Sequence, residues 1–142
     1  MSIWKRDFTL ESLNRSSAGT LIEHLGICYS QIGEDFLQAT MGVEPMTRQP
    51  MGLLHGGASV VLAETLGSVA GNMCVSREQC CVGLEINANH VRAKRDGVVT
   101  GTARPLHLGA TTQLWQIDIH DEKAHLVCTS RLTLAIRQSK RG

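Results

Sequence analysis

Between Gly57 and about Val75 the chain repeats Ala58, Val61, Leu62, Thr65, Leu66, Val69, Ala70 and Met73 at helical spacing, with Glu64 as the one charged residue in the stretch. A surface helix carries several charges on its outward side, so this one is expected to be covered on most sides. With Glu64 at zero and about 100° per residue, the apolar set centres near about 140°, and Gly57, Val60, Gly67, Ser68 and Gly71 gather around the carboxylate. Each glycine weakens a helix by about 1 kcal/mol relative to alanine. Their presence implies that another backbone or a slender ligand comes close, leaving Glu64 in a narrow, partly dry groove.

The rest of the chain must supply the cover. Thr9 can cap a short helix to about Ser16, and a second turn from Thr20 to Leu25 stops at Gly26. Residues Ile27–Ile32 and Phe36–Val43 read as a hairpin about Gly33-Glu34-Asp35, and Pro45, Pro50 and Gly52 make Glu44–Leu54 a loop. After the helix the period becomes two, through Cys81–Arg92, Val98–His107, Thr112–His120 and Leu126–Ile136, which predicts a four-stranded antiparallel meander over residues 80–137. Arg137–Gly142 reads as a frayed basic tail. One long helix and about six strands predict a single α+β domain over residues 1–142, with an antiparallel sheet wrapped round the helix over 57–75 and a helical segment over 1–26.

Charge and thiol content narrow the function. Fourteen Lys and Arg against thirteen Asp and Glu give a net charge of +1, too little for a general attraction to nucleic acid or an anionic membrane. The N-terminus lacks the apolar run of a signal peptide, and no apolar segment approaches the ~20 residues of a bilayer span, so a soluble, cytoplasmic protein is expected. Cys28, Cys74, Cys80, Cys81 and Cys128 show no C-x-x-C spacing and fit reduced thiols. The six histidines form no i,i+4 pair, so no metal is expected.

Chemistry gathers where the loop meets the helix. Gln49 lies on the loop that leads into His55-Gly56-Gly57, Glu64 follows two turns later, and Ser68 comes at i+4 from it. Unsatisfied N–H groups at a helix start stabilise an oxyanion, and glycine lets a carbonyl come near. A carboxylate acting as base on water, or as nucleophile, completes the minimum for acyl transfer without a metal. His55 could equally cap the helix, Ser68 could simply fill space, and Glu64 could be a solvated helix residue. Asn87, Asn89, His90 and Arg92, with Lys94 and Arg95 beyond, could grip a phosphate or form an ordinary strand end.

Gln49-Pro50-Met51-Gly52-Leu53-Leu54-His55-Gly56-Gly57-Ala58-Ser59, followed by Leu62-Ala63-Glu64-Thr65, resembles the hotdog-fold acyl-CoA thioesterases. Ile3-Trp4-Lys5-Arg6, Gly83-Leu84-Glu85-Ile86-Asn87-Ala88-Asn89-His90-Val91-Arg92 and Pro105-Leu106-His107-Leu108-Gly109 are similar to one bacterial subgroup, the 1,4-dihydroxy-2-naphthoyl-CoA thioesterases and enterobactin proofreading thioesterases. The resemblance runs nearly end to end. It implies hydrolysis of an acyl-CoA, most readily an aromatic one, with coenzyme A as part of the substrate and no cofactor. A homodimer sharing one continuous sheet would hold the site at its interface, two dimers would form a homotetramer, and an acyl-carrier protein could replace CoA. Carried over by position, Glu64 is the catalytic carboxylate, Gly56 and Gln49 polarise the carbonyl, His55 positions and Ser68 assists. Gly83, His90, Val91, Arg92, Ala93, His107, Leu108 and Gly109 fall where such proteins hold the CoA arm. Met51, Asn72 and Ala110-Thr111-Thr112 depart from the pattern. Two other readings keep the fold: an acyl-CoA binding module without turnover, and enoyl-CoA hydration, which wants an Asp/His pair that the helix lacks.

Overall fold

The computed structural model describes residues 1–139. Helix α1 (Leu10–Ser16) starts at a reciprocal Thr9/Ser12 capping box, and α2 (Leu21–His24) is capped by Thr20 and ends ahead of Gly26, whose φ is +70°. Strands β1 (Cys28–Ile32) and β2 (Leu37–Gly42) form the expected hairpin, and a 3-10 turn (Pro45–Thr47) sits inside the predicted loop. The long helix α3 runs Gly56–Met73, and β3 (Gln79–His90), β4 (Val98–Leu108), β5 (Thr112–His120) and β6 (Leu126–Gln138) follow. Arg137 and Gln138 close β6 rather than fray, and the last three residues of the expected tail lie outside the described residues.

The sheet order is β1-β2-β4-β5-β6-β3, every pairing antiparallel. This corrects the four-stranded meander: β4, β5 and β6 form one, but β3 pairs with β6 at the far edge and β4 pairs with β2. Alternation shows that a segment is a strand and carries no record of its neighbour. The connection Val91–Gly97 has seven residues, roughly 23 Å of reach against roughly 15 Å across three strand spacings, so it can cross the sheet end. It is pinned on the way by Val91 N–H to Val127 O and by Leu54 N–H to Lys94 O.

The helix packs against the concave face of this sheet. Ala58, Ser59, Leu62, Ala63, Leu66, Gly67, Ala70 and Gly71 are buried, against Leu132, Leu134, Ile117, Ile119 and Trp115. A methyl group on Gly67 would lie 2.6 Å from Leu132 Cδ2, and one on Gly71 would lie 2.3 Å from Leu134 Cδ1. Those two glycines therefore admit the sheet and not a ligand, which corrects the reading of the small-residue side. Trp115 Nε1 donates to Gln113 Oε1 (2.8 Å), and Gln113 Nε2 donates to Gly71 O, closing the buried polar contacts across the same approach. Val61, Thr65, Val69 and Met73, expected in the core, are only half-buried.

Candidate active site

The loop before α3 is built to present Gln49. Gly52 N–H donates to Gln49 O, with Pro50 and Met51 at the turn's centre and Gly52 at a φ of +83°. Gln49 Oε1 accepts the Met51 N–H, which leaves the Nε2 hydrogens as donors. Thr47 is buried, its hydroxyl donates to Gly42 O, and its carbonyl accepts the His55 N–H, so the loop returns to the helix at a fixed height. His55 is the N-cap: its Nδ1 accepts the Gly57 N–H at 2.8 Å, which places the ring proton of a neutral imidazole on Nε2. Gly56 N–H has no acceptor among the described residues, since the first amide of a helix has no partner within the helix.

A cavity of about 300 Å3 opens at this helix start, lined by Gln49, Leu54, Gly56, Ser59, His90, Val91, Arg92, Ala93 and others. His90 lies so close over Gly56 that a methyl group there would sit 2.9 Å from its Nε2. A side chain at 56 would push the exposed His90 ring aside. Six of the expected site residues meet here: Gln49, Gly56, His90, Val91, Arg92 and Ala93. Ser59, Leu53, Leu54 and Val127 line the same cavity and were missed, although Ser59 stands one helical turn from Gly56, a spacing that the sequence does show. Asn87 and Asn89 do not join His90: they line a separate hollow with Gln116 and Arg131 on the sheet's outer side, because residues one apart on a strand face opposite ways.

Glu64, Ser68, Gly83, His107, Leu108 and Gly109 lie elsewhere. Glu64 is eight residues from Gly56, about 12 Å along the axis, and is exposed rather than enclosed in a groove of its own chain. Its Oε2 would stand 2.9 Å from a methyl group on Gly83, which sits beside an irregularity in the β3–β6 register at Gly83/Glu85. Ser68 follows half-buried on the same row. Leu108 and Gly109 line a hollow of about 390 Å3 at the opposite end of α3, beside Cys74 and Val75, and the His107 ring folds over Gly109. The two halves of the expected CoA-binding set therefore flank the two ends of one helix.

Two buried thiols are disarmed. Burial, reinforced by the neighbouring Cys81, pushes the Cys74 thiol up to about 12, and burial with Cys80 beside it pushes Cys81 up to about 11. Both stay protonated near neutrality. Beside the cavity, Lys94 Nζ pairs with Glu122 at 2.9 Å, which raises the lysine pKa and holds the Glu122 carboxyl below its usual range. This pair ties the β3–β4 connection to the β5–β6 turn, and Arg92, which lines the cavity, has no carboxylate partner among the described residues.

A family model described as the thioesterase superfamily matches residues 51–128, from the Gln49 loop through α3 and into β6. The chain belongs to this superfamily. It has the hotdog fold and is a thioester hydrolase. It is 60% identical over 134 residues to the 1,4-dihydroxy-2-naphthoyl-CoA hydrolase of Escherichia coli strain K12, covering 94% of this chain and 98% of that one. It is 57% identical over 134 residues to the proofreading thioesterase EntH of Cronobacter sakazakii, with the same coverage. The crystal structure of a thioesterase from Haemophilus influenzae superposes with a TM-score of 0.94 at 51% identity, covering 96% of this chain and 95% of that one.

Proposed function

We propose that this thioesterase hydrolyses acyl-CoA thioesters with compact aromatic acyl groups, in a site that two copies of the chain build together. One observation carries the shared site: the carbonyl-polarising donors and the carboxylate stand about 12 Å apart on one helix, too far to act on one thioester. Among the described residues, edge strand β3 has no strand on its outer side and exposes Val82 and Leu84, at 41% and 58% of their surface. Antiparallel pairing of two such edges lays the helices side by side in opposite directions. Glu64 of one copy then faces the Gln49/Gly56 end of the other, and the His90–Ala93 and His107–Gly109 segments come together. A homodimer is the working unit in this reading, and two such dimers give a homotetramer.

The chemistry follows from the donors. Gly56 N–H and Gln49 Nε2 receive the thioester oxygen as it becomes an oxyanion. Glu64 either removes a proton from attacking water, after which the tetrahedral adduct collapses and the C–S bond breaks, or attacks the carbonyl carbon itself, so that C–S cleavage leaves an acyl–Glu64 anhydride that water then hydrolyses. The CoA thiolate leaves and takes a proton, and a carboxylic acid remains. His55 fixes the helix start, Ser68 sits within reach of the carboxylate row, and Arg92 meets a phosphate of the CoA arm or of a carrier protein's phosphopantetheine. No cofactor or metal is needed for these steps. The cytoplasm is the fitting compartment for five free thiols.

Glu64→Gln is expected to lower kcat for benzoyl-CoA by 10²- to 10⁴-fold with an unchanged melting curve. Mixing and refolding Glu64→Gln with Gln49→Ala distinguishes a shared site from a self-contained one. Mixed dimers then carry one intact site, and about a quarter of wild-type activity returns. Activity no higher than the average of the two separate variants would refute the shared site.

A further inference from the structure

The sheet ends in two edge strands, β1 and β3, and the chain treats them differently. Outward backbone groups of an edge strand are ready partners for a strand of another copy. Along β1 such groups are taken by the N-terminal residues of the same chain. Asn14, on α1, holds both backbone groups of Tyr29: its Nδ2 donates to Tyr29 O at 3.1 Å, and its Oδ1 accepts the Tyr29 N–H at 2.8 Å. One carboxamide thus makes the pair of bonds that a residue of a neighbouring antiparallel strand would make. Just ahead of the strand, Ile27 N–H donates to Ile22 O at 3.0 Å. Beyond its other end, Trp4 Nε1 donates to Gly33 O at 2.7 Å and Ile3 N–H to Glu34 O at 3.0 Å. The β1–β2 register also shifts between Tyr29 and Gln31, an irregularity that bends an edge away from regular pairing.

We infer that the N-terminal segment is an edge seal with Asn14 as its clamp, masking on β1 an interaction surface whose partner is the β1 edge of a second copy. The need for a seal rests on the reading that two β3 edges pair. A bare β1 on the opposite side of the same sheet would then pair in its turn, and nothing in that arrangement would end the row of copies. Sealing one edge confines association to the edge beside Glu64. Helix α1 has seven residues, too few to persist alone, so its place over β1 depends on buried Leu13 and on the Asn14 clamp. With alanine at 14, Tyr29 N–H and O lose both partners, and a strand from another copy can supply them together.

The test measures mass by light scattering against protein concentration for the wild type, Asn14→Ala and Asn14→Asp, with circular dichroism to check folding. The wild type should hold one mass. Asn14→Ala should grow, its average mass rising by about twofold or more over a roughly tenfold concentration step. Asn14→Asp loses the same donor but puts a charge at the edge, and should keep the wild-type mass. A folded Asn14→Ala that keeps the wild-type mass overturns the inference. So does equal growth of Asn14→Ala and Asn14→Asp, which would report general loosening rather than a bared edge. Should Asn14→Ala not fold, hydrogen exchange on the wild type decides. The Tyr29 amide should exchange about 10²-fold slower than an open amide at every dilution, and exchange at the open rate overturns the seal. Charging the other edge with Val82→Lys and Leu84→Lys separates the two readings: an assembly mass that survives both changes refutes β3 pairing, while the Asn14 results still judge the seal.

Discussion

The two ends of the α3 machinery contrast sharply. At Gly56 the chain builds a walled cavity: a loop pinned by Thr47, an N-cap from His55, and a His90 ring packed against a bare glycine. Eight residues on, Glu64 stands exposed beside bare Gly83, which lies on a strand that no other strand covers among the described residues. The first region is walled by residues of one chain, whereas the second stands open. In the proposed reading the polarising donors are rigid before the substrate arrives, which suits a loop fixed by local hydrogen bonds. The carboxylate can be positioned by whatever later covers the edge.

Glycines show the same division and give the strongest ways to break it. Gly83→Val is expected to cut turnover of benzoyl-CoA by at least 10²-fold, since its side chain would occupy the place where Glu64 Oε2 comes within 2.9 Å of a methyl position, while the melting temperature hardly moves. A folded Gly83→Val enzyme with wild-type kcat/KM would remove the open-seam account. Gly67→Leu should do the opposite. It overpacks Leu132 and Ile117, and calorimetry should show a loss of about 3 kcal/mol, on the order of 10 °C in Tm.

Smaller effects sharpen the picture at the walled end. Arg92→Ala should raise KM for a CoA thioester by about tenfold with little change in kcat, and the difference should shrink with added salt. Replacing His55 by Ala removes the cap on Gly57 N–H and should cost about 1 kcal/mol in urea unfolding. The smallest effect concerns Lys94–Glu122. The hydrogen bond from Lys94 comes first among the causes that depress the Glu122 pKa, so its contribution is present above the ordinary glutamate value near ~4.3 and is lost as pH falls through the lower folded value. The Lys94 pKa is raised, so the lysine's contribution holds below its ordinary value near ~10.4 and fades as pH climbs through the higher one. Titrating Tm of wild type and Glu122→Gln should give a small gap at neutral pH that closes in acid.

Much of this was legible from the residues alone. Helical spacing located α3 to within a residue or two, Thr9 and Thr20 marked two helix starts, and the alternation of Thr112–His120 gave β5 its exact bounds. The contiguous run from Gln49 to Gly56 identified the carbonyl-polarising candidates, because turn chemistry and helix capping act over a few residues and are written in order along the chain.

Pairing and cover are not written that way. A strand's alternation is the same whichever neighbour it takes, so only the fold placed β3 at the sheet's edge beyond β6. A glycine that admits a ligand and one that admits a leucine from a sheet look identical in a helical projection, so only packing showed that Gly67 and Gly71 serve the core while Gly83 leaves Glu64 room. Sequence determined which groups this thioesterase carries and their order along one helix. Tertiary structure decided which of them share a volume, because distance through space depends on contacts between segments far apart in the chain.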